Sequence, residues 1–268
     1  MQLTIDRYTQ LVGPVQIDDL DLQRAFAAAP LDEDALRCLR YMHDVELHTV
    51  CYLRDLLVTS AHRDPEVTTF LTFWSFEEWW HGAAIAKVLA AHGEVAGAAR
   101  VAALRRSRRV REAAAPLFHL IGSAVAGTAM TAIHMSWGAV NEWTTQAGYA
   151  RLAIKAHHPV LADLLKRIMR QEGRHIDFYA SQASRRLAAS RKAQVLTRSA
   201  LRRMWAPVGS DIMPDPEVRH LISYLFGDND GMDMARRIDR RVDQLPGLRG
   251  LQLVTGAAER LTATARAA

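Results

Sequence analysis

The chain has 268 residues, of which 49% are hydrophobic, so it can form one large domain or two small ones with a buried core. The formal net charge of +5 favours an acidic partner, but no nucleic-acid-binding module accompanies it. Two cysteines, Cys38 and Cys51, are too few for a disulfide framework and are not spaced as zinc ligands. The first ten residues lack a secretory signal pattern, so we expect a reducing cytoplasm.

Helical signals dominate the first third of the chain. We expect a long helix at about 31–60, because acidic residues stand at its positive N-terminal end. Asp64 and Pro65 then supply an N-cap and a first-turn proline, so a second helix is expected at 64–92, with Gly93 as its C-cap glycine.

The middle of the chain has no Asp, Glu, Lys or Arg between Glu112 and Glu142. Small and hydroxyl residues and two histidines in this run disfavour a membrane span, so we expect a central bundle helix, apolar all round, at 116–155. A fourth helix is expected at 159–188 and a helical C-terminal segment at 190–262. Strand signals are nearly absent, so we predict an all-α domain with a four-helix core.

Two Glu-x-x-His motifs lie on predicted helices. Glu78 and His81 belong to "WSFEEWWHG", and Glu172 and His175 belong to "RQEGRH". Residues three apart lie on the same face of a helix. Each motif can therefore offer one oxygen and one nitrogen ligand to the interior.

The other two long helices each carry a glutamate in an apolar setting, Glu46 and Glu142. In an antiparallel hairpin, residues equidistant from the turn lie level with each other. Glu46 is level with Glu78, and Glu142 with Glu172, because the midpoint of each pair falls in a predicted turn. Each hairpin thus brings a lone glutamate level with a Glu-x-x-His motif.

Four carboxylates and two imidazoles are therefore expected to meet inside the bundle. Burying these charges costs free energy unless about four positive charges compensate them, and two divalent cations supply that charge. Carboxylate and imidazole ligands with open positions suit iron or manganese better than zinc. The alternative is a set of surface carboxylates and structural histidines on an unrelated bundle.

The two motifs resemble those of the soluble acyl-carrier-protein desaturases, in the ferritin-like di-iron carboxylate superfamily. "EEWWHG" is similar to the Glu-Glu-x-x-His-Gly motif of that family, and "QEGRH" to its second motif, in which an acidic residue precedes Glu-x-Arg-His. The lead-in "HHPVLADLLKRI" and the helical tail are also similar, so the resemblance covers most of the chain from about residue 30. It implies one di-iron domain over 1–268, a ferritin-like four-helix bundle with additional N- and C-terminal helices.

The resemblance implies an O2-dependent oxidoreductase of fatty acid metabolism that introduces a double bond into a carrier-bound acyl chain. The implied cofactors are two iron ions, Fe2+ or Fe3+, with O2 as co-substrate and manganese as a substitute. The implied partners are acyl carrier protein, or another acyl or small-molecule substrate, and a ferredoxin-type electron donor. A homodimer is implied, with no nucleic acid and no membrane span.

The resemblance also implies six metal ligands. They form a bridging pair, a terminal pair and a histidine pair: Glu78 and Glu172, Glu46 and Glu142, His81 and His175. Thr145, one turn after Glu142, matches a hydroxyl residue beside the oxygen site of the family, where it would relay a proton as a catalytic residue. The alternative for Thr145 is a core threonine bonded back to its own helix.

Several residues depart from the pattern of that family. Gln171 stands where an aspartate usually accepts a hydrogen bond from a ligand histidine, and Glu77 is a candidate partner for the other histidine, His175. Trp79 and Trp80 replace smaller or polar residues, and we expect them to pack in the core. These departures leave the metal ligands intact but leave the substrate open.

Two other functions fit the same residues. The centre could hydroxylate or N-oxygenate another substrate, for example in secondary metabolism, or the chain could be a non-enzymatic ferritin-like protein that binds iron. The asymmetric helical tail argues against iron storage. The basic run at 105–111 is expected to be a solvated loop or a docking site for an acidic carrier protein or ferredoxin.

Overall fold

The structure is a computed structural model that describes residues 4–267, and over that range the chain forms twelve α-helices and no β-strand. The predicted all-α fold class is therefore confirmed. The helices in chain order are α1 (Ile5–Leu11), α2 (Leu22–Ala28), α3 (Glu33–Leu57), α4 (Pro65–Ala91), α5 (Ala98–Ser107), α6 (Arg109–Ala126), α7 (Ala129–Lys155), α8 (Pro159–Ala189), α9 (Arg191–Met204), α10 (Asp215–Phe226), α11 (Asn229–Asp243) and α12 (Leu253–Ala267).

Four long helices, α3, α4, α7 and α8, surround the centre of the molecule. A 3-10 turn, Ser60–Arg63, joins α3 to α4, and a tight turn at residues 156–158 joins α7 to α8. Each of these connections is short, so the helices of each pair run antiparallel and pack along one another. Contacts between α3 and α7 and between α4 and α8 join the two pairs.

The ends of these helices follow from local sequence. Asp32 caps α3 by accepting a hydrogen bond from the Ala35 amide at 2.7 Å. Asp64 caps α4 through two backbone amides, with Pro65 as the first helical residue. Gly93 has a φ of 75° just beyond α4, the left-handed conformation that lets the last carbonyls of the helix find partners.

The expectation of one continuous core helix at 116–155 is wrong. The structure contains two helices there, α6 and α7, separated by Gly127 with a φ of 60°. An L-residue rarely adopts this backbone conformation, so the glycine allows the chain to change direction. Pro116, taken as a helix start, lies inside α6.

The uncharged run also divides into a buried helix and a surface helix. Most of α7 is buried, as expected of a central helix. In contrast, α6 exposes large apolar side chains, so the expectation of one helix apolar all round and enclosed by the bundle is wrong for its first half. Within residues 4–267, none of the helices combines the length and the apolar character needed to traverse a lipid bilayer.

The remaining helices cover the four long ones. At the N-terminus, α1 and α2 pack against α4, and after α8 the chain returns through α9 along α7. The last three helices pack on one another and on α3 and α7. Arg151 anchors them, because its buried guanidinium donates to the Leu225 carbonyl and to both oxygens of Asp228.

Candidate metal centre

The six side chains expected to bind metal lie together between the four long helices. One glutamate comes from α3 and one from α7, while α4 and α8 each contribute a glutamate and a histidine. All six are buried, with at most 5% of each residue exposed: Glu46, Glu78, His81, Glu142, Glu172 and His175. The alternative of surface carboxylates is therefore wrong for these residues.

The six side chains form two overlapping groups of four. One group is Glu46, Glu78, His81 and Glu172, and the other is Glu78, Glu142, Glu172 and His175. In each group, one oxygen or nitrogen atom from every residue lies within 4.8 Å of the others. Glu78 and Glu172 belong to both groups, so their carboxylates lie where two cations could share them.

Both imidazoles turn Nδ1 towards these shared carboxylates. His81 Nδ1 lies 3.3 Å from Glu172 Oε1 and 3.7 Å from Glu78 Oε2. His175 Nδ1 lies 3.0 Å from Glu78 Oε1 and 3.1 Å from Glu172 Oε2. Each group therefore offers one nitrogen and several carboxylate oxygens, a donor set that suits a divalent metal ion.

The outer nitrogen of each imidazole has its own acceptor. His81 Nε2 donates to Gln171 Oε1 at 2.8 Å, and His175 Nε2 donates to Glu77 Oε2 at 2.9 Å. These bonds fix the ring orientation and leave Nδ1 of each neutral ring with a free lone pair. The two contacts are those expected from the sequence for Gln171 and Glu77.

The two terminal glutamates are also held in place. The Tyr149 hydroxyl donates to Glu46 Oε1, and the Trp74 indole donates to Glu142 Oε1 at 2.8 Å. Each of these donors satisfies one oxygen of the carboxylate. The second oxygen of each carboxylate lies about 4 Å from an imidazole Nδ1, at the interior of the cluster.

Unpaired polar atoms at the centre fit a metal site. His81 Nδ1, Glu78 Oε1 and Glu172 Oε1 are buried and have no hydrogen-bond partner. Leaving a buried polar atom unpaired costs on the order of 1–3 kcal/mol, and a cation among these atoms would remove that cost. The residues present therefore fit a bound metal ion.

Burial and mutual repulsion act strongly on the carboxyl groups. Burial and the neighbouring charge of Glu78 hold the pKa of Glu46 well above its usual range, and burial with the charges of Glu172 and Glu78 does the same for Glu142. Burial also opposes ionisation of Glu78, but its close approach to Glu46 and to the two imidazoles outweighs burial and lowers its pKa. Burial and mutual repulsion thus favour the protonated form of Glu46 and Glu142 in the metal-free cluster.

The carboxylates also raise the pKa values of the two imidazoles. Burial alone would lower their pKa values, but the surrounding carboxylates outweigh it. The nearby carboxylates of Glu172 and Glu78 raise the pKa of His81 to about 9, and the pKa of His175 is also raised. Without metal, the surrounding carboxylates therefore favour the doubly protonated, positively charged form of both rings.

A glycine beside His81 lets the helices approach at this point. A Cβ atom on Gly82 would lie 2.6 Å from Leu47 Cγ and 3.2 Å from Glu46 Cβ. The last residue of "EEWWHG" is therefore required for the close contact between α3 and α4. This contact brings Glu46 level with Glu78 and His81.

The N-terminal segment supplies contacts that sequence reasoning missed. The Tyr8 hydroxyl donates to Glu77 Oε2 at 2.9 Å, and Gln171 Nε2 donates to the Gly13 carbonyl at 2.9 Å. Arg174 also donates to Glu77. No spacing rule connects Tyr8 to a helix almost seventy residues away, whereas Trp74 and Tyr149 lie on the same helix faces as Glu78 and Glu142 and could have been found.

Thr145 is half-buried and lines a cavity together with Glu142. The threonine that bonds back to its own helix is the neighbouring Thr144, whose hydroxyl donates to the Val140 carbonyl at 2.8 Å. Thr145 therefore lies beside the same space as the carboxylate of Glu142.

This cavity has a volume of about 1090 Å³ and is large enough for an organic substrate. Three of the candidate ligands, Glu46, Glu78 and Glu142, form part of its wall. Most of the lining is apolar and includes Trp74, Met130, Ile133, Trp137 and Tyr179. The exposed residues Arg109 and Phe118 also line it, so the cavity reaches the surface.

One tryptophan of "EEWWHG" lies elsewhere than expected, and a glycine of α7 has a packing role. Trp79 is 52% exposed and packs edge-on against Trp80, so the expectation that it lies in the core is wrong. Gly138 faces the ring of Tyr179, which a Cβ atom would meet at 2.3 Å. The missing side chain at this position therefore makes room for Tyr179.

No protein-family model matches the chain, and a search of curated proteins found no similar sequence. The fold and the site define an all-helical protein with a buried glutamate–histidine cluster that could hold metal ions beside a large cavity.

Proposed function

We propose that the protein is an O2-dependent di-iron oxidoreductase built on a ferritin-like four-helix bundle. The observation that carries the proposal is the pair of four-residue groups sharing Glu78 and Glu172, next to a cavity whose wall includes three of the six ligands. Two antiparallel helix pairs with a longer crossover, formed here by α5 and α6, are typical of ferritin-like folds.

Each residue has a distinct part in the proposal. Glu78 and Glu172 would bridge two ions, Glu46 and His81 would complete one site, and Glu142 and His175 the other. When bound, a pair of ferrous ions supplies the electrons for O2 reduction and the oxidising power for attack on an unactivated C–H bond.

The chain itself would control protons and water at this centre. Thr145 lies on the cavity wall one turn from Glu142, and its hydroxyl would deliver a proton to the reacting side of the centre. The apolar walls exclude water from the space that the substrate would occupy. Gln171 and Glu77 keep the two rings in the orientation that directs Nδ1 inward.

The resemblance to acyl-carrier-protein desaturases suggests a carrier-bound acyl chain as substrate, a ferredoxin-type electron donor and formation of a double bond. The test combines the iron-loaded, chemically reduced protein with O2 and an acyl carrier substrate, followed by mass spectrometry. Loss of two hydrogens from the acyl chain supports desaturation. Oxidation of iron with no change in any organic substrate would instead indicate iron binding or storage.

One observation favours a hydroxylase or N-oxygenase as the second candidate. The cavity wall contains His134, whose Nε2 is buried without a partner, and also the carboxylate of Asp55. Burial, with a contribution from His119, lowers the pKa of His134 to about 3, so this ring is neutral. A saturated acyl chain has no polar atoms that could form hydrogen bonds with these groups, whereas a substrate with polar atoms could form them. Gain of one oxygen in the same assay would support this candidate.

A further inference from the structure

Helix α6 directs its polar contacts towards the protein. Glu112 accepts a hydrogen bond from His48 Nε2 at 2.9 Å, and Ser123 Oγ accepts one from the Ser60 amide at 2.8 Å. The His119 ring stacks on an imidazole of α7, with ring centroids 5.8 Å apart. Positions 112, 119 and 123 recur at helical spacing and define the inner face of α6.

The opposite face of α6 is apolar and exposed. Its large side chains have between 54% and 76% of their surface accessible: Val110, Leu117, Phe118, Ile121 and Val125. Positions 110, 117, 121 and 125 form one stripe, about 22 Å long at a rise of 1.5 Å per residue. A helix on the surface of a globular protein normally turns its apolar side chains towards the core and its polar side chains towards water. The exposed apolar stripe on the outer face of α6 therefore indicates a binding surface.

Basic residues stand at the N-terminal end of the outer stripe. Arg106 and Arg109 are exposed and Arg108 is half-buried, and all three line the mouth of the cavity with Phe118. The apolar stripe, the arginines and the entrance to the cavity therefore form one continuous surface.

We propose that this surface docks on an anionic lipid bilayer. The outer stripe of α6 lies in the interface, the arginines contact head-group phosphates, and the cavity opens towards the lipid, from which an amphiphilic substrate can enter. A helix with an apolar face and basic residues beside it is typical of proteins that bind at the membrane surface. The docking does not depend on the metal centre or its chemistry.

Two other occupants fit this surface less well. A second copy of the chain carries the same net charge of +5, and it would cover the mouth of the cavity. An acidic protein would account for the arginines but leave the apolar stripe exposed to water. An anionic bilayer complements both features and leaves the cavity open to a substrate.

The test is flotation of the full-length protein with vesicles made of equal parts phosphatidylcholine and phosphatidylglycerol. We expect the protein to float with these vesicles and to bind more weakly to phosphatidylcholine alone. Ile121→Glu should weaken binding at least about tenfold, because it places a negative charge where an apolar side chain enters the interface. Arg106→Gln combined with Arg109→Gln should weaken binding to the anionic vesicles and reduce its salt sensitivity.

Ile154→Glu is the matched control. Ile154 is 58% exposed, close to the 54% of Ile121. It lies about 30 Å along α7 from His134, the residue on which His119 of α6 stacks. This variant should bind as wild type does. Absence of flotation would overturn the proposal, as would binding that Ile121→Glu leaves unchanged, because charge alone would then account for it. A dimer in solution that Ile121→Glu dissociates would assign the surface to a second copy instead.

Discussion

The two imidazoles of the centre differ in the group that holds their outer nitrogen. His175 donates to the carboxylate of Glu77, whereas His81 donates to the uncharged amide of Gln171. Hydrogen bonds and charge from His175 and Arg174 outweigh burial and lower the pKa of Glu77, so this group is ionised. A charged acceptor makes a ligand imidazole more basic than a neutral one does. The group containing His175 should therefore bind its ion more tightly.

Glu77→Gln tests this difference. Replacing the carboxylate with an amide should weaken binding of one metal ion by about 10- to 100-fold and leave the other almost unchanged. Metal titration against a competing chelator measures both affinities. Glu66→Gln is the control, because Glu66 lies on the same helix but pairs with Arg185 at the surface. Equal effects on both ions, or none, would contradict the assignment.

The metal-free cluster balances its charge with protons. Burial and neighbouring charges favour the neutral form of Glu46 and Glu142 and the positively charged form of both imidazoles, which face the two shared carboxylates. Binding of two divalent ions at neutral pH should therefore displace protons from these four groups, up to about four per chain. Calorimetry in buffers with different ionisation enthalpies counts them. If binding released no protons, these side chains would not be the ligands.

The same shifts predict how the stability of the metal-free protein depends on pH. The folded pKa of His81, about 9, lies above the unfolded value of roughly 6.5, so the stabilisation that it provides is complete below pH 6.5 and is lost as the pH rises towards 9. The raised pKa of Glu46 acts in the same direction, starting from a lower pH. Thermal melting should show a falling Tm across this window without metal. A Tm that rises over the window would contradict the assigned protonation states.

The sequence revealed side chains that follow a helical spacing and concealed those that do not. The six candidate ligands were found because residues three apart share a helix face and because each lone glutamate lies level with a motif. Their acceptors Gln171 and Glu77 adjoin the motifs and were found in the same way. Tyr8 and Gly13 could not be found, because their contacts depend on how the N-terminal segment packs on α4 and α8.

At the scale of helices, the separation of α3 and α4 sets the geometry of half of the centre. Gly82→Ala would put a Cβ atom 2.6 Å from Leu47 Cγ, so the two helices must separate or the leucine must move. We expect a loss of about 1–3 kcal/mol in the free energy of unfolding and weaker metal binding in the group that contains His81. Chemical denaturation and metal titration measure these effects.

A second substitution shows whether crowding is the cause. Leu47→Ala removes the atoms that the new Cβ meets, so the double variant Gly82→Ala/Leu47→Ala should recover metal affinity relative to Gly82→Ala. The two changes should be non-additive because the side chains touch. If the loss of metal affinity in the double variant equals the sum of the losses in the two single variants, then close approach at Gly82 does not position Glu46.

Helix boundaries were predictable where a cap or a proline fixes them. Asp64 and Pro65 begin α4 as the sequence indicates, and Pro159 begins α8. The break at Gly127 was missed because "SAVAGTAM" contains a single glycine and no proline, and one glycine is tolerated within a helix. Pro116 was misread because a proline is typical of the first turn of a helix, yet here it lies in the middle of α6.

At the scale of the molecule, the cavity and the exposed face of α6 depend on tertiary packing. Composition alone did not separate a buried apolar helix from a surface one, because both α6 and α7 lack charged residues over most of their length. Only the packing partners show that α6 turns its polar residues inward. The all-α class followed from periodicity along the whole chain, whereas the volume beside the carboxylates depends on where α9 and the loop at 205–214 cover them.

Six side chains from four helices are proposed to bind two ions, and metal content tests this proposal most directly. After anaerobic loading with Fe2+ and removal of unbound metal, the wild-type chain should retain about two iron ions. Glu78→Ala combined with Glu172→Ala should retain almost none, whereas Glu66→Ala should retain about two. A wild-type chain without iron, or iron content that survives loss of both shared carboxylates, would contradict the account.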